Sequence, residues 1–513
     1  MIFTSPYPAM HIPDDEIVYN YIERHAAEIG HKPAFVCGLT RREITYARLY
    51  TQTRQIIAGL VANGIKRGDV VVVHSFNCIE YPVLFYALNR LGAIFSPSSP
   101  LFNAQELADQ ITSSNAKAVV SHKMLAPVAI GAAKLAGLGP AQIYTLADGP
   151  GDFHVQSIEE LIAKDLPFPN LPPADPTDVV TLPFSSGTTG RPKGVEITGR
   201  ALLACALHAA SLEKPMAYVL GMLPFFHILA TMVFQVTVKM GLAVVVLPRF
   251  EPDDFLRVVQ DFKIERLSLA PPLVLFLAKH PIVDKYDLSH VTTLSSGGAP
   301  LGIEIEQLAS KRLNAKVYQG YGMTEFTAAV AYCNDSYART GSVGRLLPNT
   351  MMRIKSLTTD EDLGCNETGE LLFRTPQLMK GYFNDPEATK KAFTDDGYLR
   401  TGDIGYIDDD GYIYVVDRDV LNNHPELEDS CCVRGVDRAT GEEIPKAYVV
   451  RKAGSKVTEQ DVLHYVGTKV ASFKKVRAVE FIDVIPKSLA GKILRRELQV
   501  KENEKINAVQ SRL

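Results

Sequence analysis

The 513-residue sequence has no long apolar run and no excess of one charge, and each absence excludes a class of protein. No run approaches the ~20 apolar residues that span a bilayer, so an integral membrane protein is not expected. The sequence has 54 lysines and arginines against 58 aspartates and glutamates, which gives a formal net charge of −4. A general nucleic-acid binder would have a basic excess, so this balance argues against that function. We also find no internal repeat and no low-complexity tract.

Cysteine is scarce and scattered. The count of seven is odd, and the sequence contains no C-x-x-C motif. Neither a zinc site nor a disulfide framework is therefore expected. We predict reduced and mostly buried thiols at Cys37, Cys78, Cys205, Cys333, Cys365, Cys431 and Cys432.

The sequence also lacks the features of an N-terminal targeting segment. Asp14, Asp15 and Glu16 stand where a secretory signal would have its apolar core, and early acidic residues disfavour a mitochondrial presequence. At the other end, Ser511-Arg512-Leu513 is similar to the peroxisomal address Ser-Lys-Leu. We expect this tripeptide to bind the peroxisomal import receptor and the protein to be peroxisomal, with the cytoplasm as the alternative.

Helix and strand patterns alternate in the first half of the chain. After Thr45, a predicted N-cap, apolar residues recur at helical spacing until Gly64. Strands are predicted at 70–73, 94–95 and 118–121, a turn at 97–100, and helices at 81–91 and 104–114. This βαβα order predicts a parallel sheet with helices on its faces. Further along, the pattern predicts a helix at 253–263 and strands at 267–270 and 291–294.

The pattern changes near residue 340. From there to 417, short strands alternate with glycine turns. The remainder is richer in lysine and arginine, with a predicted helix at 459–466 that Thr458 would cap. We therefore predict a large N-terminal domain over residues 1–417 and a C-terminal domain over 418–513, with the boundary near Arg418.

One ten-residue segment combines three glycines, four hydroxyl side chains and two cations. Glycines let backbone N–H groups approach a polyanion, hydroxyls donate hydrogen bonds, and cations neutralise charge, so the pattern suits a di- or triphosphate. It is not a Walker A loop, because a proline stands where that motif has glycine before the lysine. Taken alone, the composition is also typical of a solvated surface loop. The segment is Ser185-Ser186-Gly187-Thr188-Thr189-Gly190-Arg191-Pro192-Lys193-Gly194.

This segment resembles the signature of the adenylate-forming superfamily, which includes acyl-CoA synthetases, 4-coumarate–CoA ligases, firefly-type luciferases and peptide-synthetase adenylation domains. Further motifs match in family order along nearly the whole chain. The resemblance is closest to 4-coumarate–CoA ligase-like and medium-chain acyl-CoA synthetases. It implies an α/β fold with a large N-terminal AMP-binding domain of parallel-rich αβα sheets plus a small barrel-like part. A small mobile α+β lid domain would follow.

The resemblance also implies which residues bind the nucleotide. Tyr321 would stack on adenine, and Thr324 would hydrogen-bond the α-phosphate. Asp403 would take both ribose hydroxyls, since a carboxylate accepts two hydrogen bonds at once. Glu325, a hard oxygen ligand, would hold Mg²⁺. The predicted ATP- and AMP-binding residues are Ser185, Ser186, Gly187, Thr188, Thr189, Gly190, Lys193, Gly298, Ala299, Pro300, Gln319, Gly320, Tyr321, Gly322, Met323, Thr324, Asp403 and Arg418.

The catalytic and acyl-binding residues follow from the same resemblance. Lys492 matches the family lysine that stabilises negative charge on the carboxylate and α-phosphate as they react. His227 follows two phenylalanines, where a lone histidine is more often a core residue, but the family places it beside the acid. The predicted catalytic residues are Lys492, His227, Thr324 and Glu325, and the predicted acyl-pocket residues are His227, Ile228, Leu229, Gly298 and Thr327.

The sequence departs from the family after Arg418. Residues 419–423 lead directly into His424-Pro425-Glu426, where the family has a lysine-bearing hinge, a strand and a glycine turn. Against the family spacing of these motifs, roughly eighteen residues are missing. One omitted in-frame exon, in a splice form or gene model, would produce such a gap. Because the missing turn builds the pantetheine channel in the family, we expect ATP binding to survive, adenylation to weaken and CoA transfer to weaken far more.

The resemblance implies an acyl- or aryl-CoA ligase that uses ATP, Mg²⁺ and CoA. A medium-chain or aromatic acid and ATP would give an acyl-adenylate and pyrophosphate, and the CoA thiol would then displace AMP. Two alternatives stay open. A luciferase-like oxygenase also starts from an adenylate, but Ile228 and Leu229 replace its His-Gly-Phe continuation. A nucleotide-binding pseudoenzyme would fit the gap after Arg418.

Overall fold

The computed structural model describes residues 1–147, 152–185, 192–333, 338–356, 359, 361–415, 424–436, 443–467, 476–487, 497–498 and 500–502. The α-helices among them are α1 Tyr19–Glu28, α2 Tyr46–Ala62, α3 Glu80–Leu91, α4 Ala104–Ser113, α5 Ala126–Leu135, α6 Ile158–Ala163, α7 Gly199–Ala210, α8 Ile228–Met240, α9 Pro252–Asp261, α10 Pro271–Lys279, α11 Ile303–Leu313, α12 Pro386–Ala392 and α13 Glu459–Gly467. Short 3₁₀ helices lie at Lys123–Leu125, Pro140–Gln142, Pro281–Lys285 and Thr324–Phe326.

The strands of the described residues are β1 Phe3–Thr4, β2 Pro33–Cys37, β3 Glu43–Thr45, β4 Val70–His74, β5 Ile94–Ser98, β6 Ala118–His122, β7 Ile143–Leu146, β8 Gln156–Ser157, β9 Val179–Thr181, β10 Phe184–Ser185, β11 Lys193–Thr198, β12 Tyr218–Gly221, β13 Ala243–Val246, β14 Arg266–Leu269, β15 Thr293–Ser296, β16 Lys316–Gln319, β17 Tyr321–Met323, β18 Ala328–Tyr332, β19 Arg345–Leu346, β20 Met351–Lys355, β21 Gly369–Arg374, β22 Gly381–Tyr382, β23 Leu399–Ile407, β24 Ile413–Val415, β25 Leu427–Val436, β26 Glu443–Arg451 and β27 Ala478–Phe481.

The largest sheet is parallel at its centre, in the order β9-β5-β4-β6-β7-β8, and β10, β11 and β22 extend it at the β9 edge. Alternate residues of β4 face opposite sides. Val71 and Val73 join the main core with α2 and α3, whereas Val70 and Val72 pack with α4 and α5. All five residues of β4 are buried, as expected of a strand covered by helices on both faces. The predicted βαβα layer is confirmed.

Local details of this layer confirm some predictions and correct others. Thr45 caps α2, because its side chain accepts a hydrogen bond from the N–H of Arg48. The strand predicted at 94–95 instead runs to Ser98 and includes Pro97, so the prediction of a turn beginning at 97 was wrong. Phe95 O accepts from Leu182 N, so the backbone of Phe95 points toward the β9 side, and that of Pro97, two residues later, does the same. The pairing of β5 with β9 has already ended at Thr181. A proline without an N–H is therefore tolerated there.

Two further parallel sheets complete the α/β part. One has the order β12-β13-β2 with β3 antiparallel at its edge, and the other has the order β14-β15-β16. The predicted strand at 291–294 begins two residues later, because the N–H of Val291 bonds Leu288 O in a turn. The predicted helix at 253–263 is α9, and the predicted strand at 267–270 is β14.

Two antiparallel sheets and one mixed sheet follow along the described part of the chain. The order β1-β20-β21-β23-β24 forms a five-stranded sheet, and β17-β18-β19 forms a three-stranded one. In the C-terminal part, β25, β26 and β27 form a sheet, and α13 packs against it. Thr458 Oγ1 accepts from Asp461 N at 3.3 Å, so Thr458 caps α13 as predicted. The predicted α/β fold class is confirmed. The boundary near Arg418 lies outside the described residues and stays a prediction.

All seven cysteines are free, as predicted for reduced thiols. Only three of them, Cys205, Cys333 and Cys431, are buried, so the expectation of mostly buried thiols was too strong. In the part of the chain that the structure describes, we find no helix with the length and apolarity needed to cross a membrane.

Candidate active site

Two segments that are distant in the sequence contact the carboxylate of Glu325. Ser185 Oγ donates to Glu325 Oε1 at 3.2 Å, and the hydroxyl of Tyr382 donates to the same oxygen at 3.1 Å. The glutamate is 5% exposed and lies in the 3₁₀ helix Thr324–Phe326. A buried carboxylate needs such donors, since its desolvation is costly. The sequence predicted Ser185 and Glu325 as site residues but did not predict Tyr382.

The backbone around this carboxylate is set by strand pairing. Ser185 pairs with Lys193 across β10 and β11, so both ends of the 185–193 segment lie side by side. Tyr382 pairs with Val195 on the other edge of β11. Lys193 Nζ lies 4.9 Å from the centroid of the Tyr382 ring. The Lys193 cation and the Glu325 carboxylate therefore both lie beside Tyr382, next to the two ends of the predicted phosphate loop.

Burial raises the pKa of Tyr382, and the negative charge of Glu325 raises it further. Its phenol therefore remains a protonated hydrogen-bond donor at neutral pH. The donor is neutral, so it supports the carboxylate without cancelling its charge. That charge stays available to a cation.

The predicted adenine and ribose residues lie together. The Tyr321 hydroxyl donates to Asp403 Oδ2 at 2.7 Å, although the two residues are 82 positions apart, and each is 6% exposed. Tyr321 lies on β17 and Asp403 on β23, and the ring of Phe373 is 5.7 Å from that of Tyr321. The Asp403 N–H bonds Thr401 Oγ1, which fixes its backbone. A ring and a carboxylate are thus juxtaposed, as a nucleoside requires.

The glycine turn after β15 lies between the predicted acyl and nucleotide residues. A Cβ on Gly297 would lie 3.6 Å from Leu229 Cδ2 and 3.7 Å from Gly320 O. Gly298 has φ +83° and open space where a Cβ would stand, and Ala299 and Pro300 are half-buried. The turn therefore presents backbone and small side chains, which leaves room for a flat ring.

The Gln319 side chain positions this turn. Its Oε1 accepts from Leu301 N at 3.0 Å, and its Nε2 donates to Leu301 O and to Glu306 Oε2 at 3.1 and 3.2 Å. Gln319 was predicted to bind nucleotide, and here its amide is bonded to protein groups. Burial raises the pKa of Glu306.

The strand β17 allows only glycine at its centre. A Cβ on Gly322 would lie 1.6 Å from Ala328 O. Backbone of β18 thus packs directly on the motif that carries Thr324. Met323 and Thr324 are half-buried.

His227 caps α8. Its Nδ1 accepts from Leu229 N at 3.3 Å, so in the neutral ring the proton is on Nε2, which is the nitrogen able to donate to a substrate. His227 and Leu229 are half-buried, and Ile228 is buried in the main core. Thr327 is also buried, and its hydroxyl donates to Gln377 O at 2.7 Å. The roles of Ile228 and Thr327 in an acyl pocket stay predictions.

A buried cluster missed by the sequence analysis supports the Glu325 helix. Gln377 Nε2 donates to Phe326 O at 3.1 Å and to Ala329 O, while its Oε1 contacts His208 Nδ1 at 3.1 Å. Burial lowers the pKa of His208, so its ring is neutral. Nothing in the sequence around Gln377 indicates this role, because the contacts join residues far apart in the chain.

Several predicted site residues lie outside the described residues. They are Ser186, Gly187, Thr188, Thr189, Gly190, Arg418 and Lys492. Their assignments stay predictions, as does magnesium at Glu325. Within the described ranges we find no group of three or more histidine, cysteine or acidic side chains suited to a metal. One buried carboxylate nevertheless fits Mg²⁺ bound together with nucleotide phosphates.

Comparison with known proteins places this site in a family context. A model of the AMP-binding enzyme family matches residues 22–383, and a model of the AMP-binding enzyme C-terminal domain matches residues 419–492. The chain is 35% identical over 534 residues to 4-coumarate–CoA ligase 2 of Nicotiana tabacum, covering 98% of this chain and 97% of that protein. It is 34% identical over 533 residues to 4-coumarate–CoA ligase 2 of Petroselinum crispum, covering 98% and 97%.

A solved structure has the same fold. ATP-bound MatB from Rhodopseudomonas palustris matches with a TM-score of 0.79 and 26% identity, covering 95% of this chain and 99% of that chain. The similarity therefore extends over nearly the whole length of both proteins.

Proposed function

Because the chain belongs to the AMP-binding enzyme family and is an AMP-forming acid–thiol ligase, we propose that its acid is aromatic and 4-coumarate-like, or medium-chain. Members of the family use ATP and CoA. The relatives from Nicotiana tabacum and Petroselinum crispum are named as 4-coumarate–CoA ligases, which supports an aromatic acid. The predicted pocket residues are mostly apolar or small, which suits both acid classes.

The observation that carries the proposal is the buried Glu325 carboxylate at the mouth of the 185–193 loop. Ser185 and Lys193 bring a hydroxyl and a cation to the same place. Asp403 and Tyr321 supply a carboxylate and a ring for the nucleoside. A triphosphate needs the hydroxyl and the cation, and a ribose needs the carboxylate.

The residues would divide the chemistry as follows. The acid carboxylate attacks the α-phosphate, pyrophosphate leaves, and the CoA thiol then attacks the acyl carbon and displaces AMP. Lys193 and Thr324 would bind phosphate oxygens, His227 Nε2–H would donate to the acid, and Lys492 would stabilise the developing negative charge. Mg²⁺, held by Glu325, would supply positive charge to the phosphates when bound.

The test is acid-dependent exchange of labelled pyrophosphate into ATP across a panel of cinnamic and fatty acids. We expect exchange with 4-coumarate-like or medium-chain acids and little with acetate. Exchange confined to acetate or to long-chain acids would contradict the proposed substrate class. ATP binding without exchange for any acid would favour a second candidate, a nucleotide-binding pseudoenzyme.

One observation favours a weakened second half-reaction. The comparison with the Nicotiana tabacum relative runs over 534 residues, more than the 513 of this chain, so that relative has segments that this chain lacks. We propose that one of them is the segment of roughly eighteen residues expected after Arg418, since that segment would stand between motifs that this chain has in family order.

We therefore predict that thioester formation is slower than adenylation. Acyl-adenylate trapped by hydroxylamine should form faster than acyl-CoA by about tenfold or more. The reason is that an orientation of the lid domain needed for thioester formation is populated tenfold less if it is destabilised by only ~1.4 kcal/mol. The control is a variant with the Nicotiana tabacum hinge segment inserted after Arg418, in which thioester formation should rise by a far larger factor than adenylation. Equal rates for the two half-reactions in the unmodified chain would contradict the prediction.

The tripeptide Ser511-Arg512-Leu513 supports a proposal about location. It lies outside the described residues. We propose peroxisomal import through this tripeptide, tested by the distribution of a fluorescent fusion with and without its last three residues. A peroxisomal pattern that persists without them would contradict the proposal.

A further inference from the structure

The two hydroxyls that bind Glu325 both contact one oxygen of its carboxylate. Ser185 Oγ and the Tyr382 hydroxyl lie 3.2 and 3.1 Å from Oε1. A carboxylate has acceptor capacity on both oxygens. Among the described residues, both of these side-chain donors contact Oε1, so Oε2 is the oxygen that a cation would meet.

Strand pairing holds the backbone of both donors. Ser185 lies on β10 and pairs with Lys193 of β11. Tyr382 pairs with Val195 of β11, and its N–H donates to Thr389 Oγ1 at 2.8 Å. The tyrosine is therefore anchored at its backbone from two sides, and its hydroxyl reaches Glu325 from a fixed strand.

From this geometry we infer that Tyr382 is a positioning residue for the metal site. It fixes Glu325 through Oε1, and Oε2 would then be left to hold Mg²⁺ when the metal binds with nucleotide. The inference rests on the proposed function, since it takes Glu325 as the metal ligand. Groups that orient a ligating side chain in this way preserve metal affinity, because the ligand need not be ordered when the metal binds.

The chemistry of the tyrosine suits this task. Its phenol is a hydrogen-bond donor without a positive charge, and it donates to Glu325 Oε1 at 3.1 Å. A lysine in the same place would neutralise the carboxylate and compete with the cation. Lys193 instead lies over the ring face of Tyr382, 4.9 Å from its centroid. The Tyr382 ring therefore contacts the cation, while its hydroxyl contacts Glu325.

The test measures metal binding directly. Mn²⁺, which accepts the same oxygen ligands as Mg²⁺, is titrated into enzyme with saturating ATP and followed by electron paramagnetic resonance. Tyr382→Phe keeps the ring and removes the hydroxyl. We expect Mn²⁺ affinity to fall by about tenfold to a hundredfold, while ATP affinity in EDTA is unchanged. In pyrophosphate exchange, the half-saturating Mg²⁺ concentration should rise by the same factor, with kcat recovering at saturating Mg²⁺.

The matched control is Tyr286→Phe. The Tyr286 hydroxyl also donates to a carboxylate, Asp253 Oδ1 at 2.6 Å, but on an exposed surface away from the site. This variant should bind Mn²⁺ as the unmodified protein does. If Tyr382→Phe does not fold, Tyr382→His is used, which places a donor at a different distance and should also lose affinity.

The outcomes separate this inference from the proposed function. If the unmodified protein binds no Mn²⁺ with ATP, the proposed metal-dependent function fails. If it binds Mn²⁺ and the Tyr382 variant binds it equally well, only the inference is overturned. A parallel loss of Mn²⁺ affinity and of ATP affinity in EDTA would also overturn it, because that result would indicate general damage to the site.

Discussion

Replacing Glu325 by glutamine is expected to lower acid-dependent pyrophosphate exchange by about 10²- to 10³-fold, the usual cost of removing one preorganised electrostatic group. Glutamine has the same shape, and its carbonyl oxygen can accept from Ser185 and Tyr382 in place of Oε1. Its N–H₂ group would then face the position of the metal, where a donor repels a cation. The lower exchange rate should therefore result from the lost negative charge, and the fold should be unchanged.

The measurement is the exchange rate at saturating ATP and acid over a range of Mg²⁺ concentrations. Excess Mg²⁺ should not restore Glu325→Gln, in contrast to Tyr382→Phe, because the ligand itself has changed. Glu159→Gln is the control, because Glu159 is exposed and its Oε1 accepts from Ala147 N at 3.0 Å, which a glutamine oxygen can also do. Exchange in Glu325→Gln within a few-fold of the unmodified rate would remove Glu325 from the metal site.

The local parts of the fold could be predicted because each is encoded by neighbouring residues. Thr45 before an apolar periodic run predicted the start of α2, and Thr458 predicted the start of α13 in the same way. The strand at 94–95 was predicted too short because Pro97 is a strand breaker in most settings. Its tolerance here depends on where β9 ends, which is a property of the neighbouring strand.

The nucleotide-binding residues were predicted from motifs, and the structure adds which of them meet. The contact between Tyr321 and Asp403 joins two motifs that the sequence treats separately. The prediction of Gln319 as a nucleotide contact stays a prediction, and the structure shows in addition that its amide bonds Leu301 and Glu306. A motif reports that a residue matters but does not distinguish ligand binding from support of the loop that binds.

Tyr382 and Asn77 lay beyond the sequence analysis for the same reason. Tyr382 stands in a Gly-Tyr-Phe stretch that reads as an ordinary strand and turn. Its function depends on β22 pairing with β11 rather than with a neighbour in sequence. Asn77 follows β4 by three residues and reads as a loop asparagine. The contacts of both residues depend on segments far away in the sequence, and the periodicity of apolar residues does not indicate such contacts.

Asn77 joins the central sheet to the loop that carries His227. It is 6% exposed, and its Oδ1 accepts from Phe225 N at 2.8 Å. Its Nδ2 donates to Leu223 O at 2.9 Å and lies 3.2 Å from Leu247 O. One side chain therefore satisfies one N–H and two carbonyls of residues that lie between 146 and 170 positions away along the chain.

Asn77→Ala is expected to destabilise the protein by about 3 kcal/mol, because a buried N–H and buried carbonyls lose their partner at a cost of ~1–3 kcal/mol each. Thermal unfolding should occur about 5 °C lower. Since His227 follows Phe225 by two residues, the KM for the acid should also rise by about tenfold while the KM for ATP stays within twofold. Steady-state pyrophosphate exchange and a thermal melt measure these effects.

Asn89→Ala is the matched control, because Asn89 is a similarly buried asparagine whose Nδ2 donates to Val180 O at 3.2 Å. It should cost about 1 kcal/mol and leave the KM for the acid unchanged. Asn77→Asp separates the two halves of the contact. It keeps the acceptor for Phe225 N but sets a carboxylate against Leu223 O and Leu247 O, so it should be at least as damaging as alanine. A KM for the acid that is unchanged in both Asn77 variants would mean that the His227 loop is positioned without Asn77.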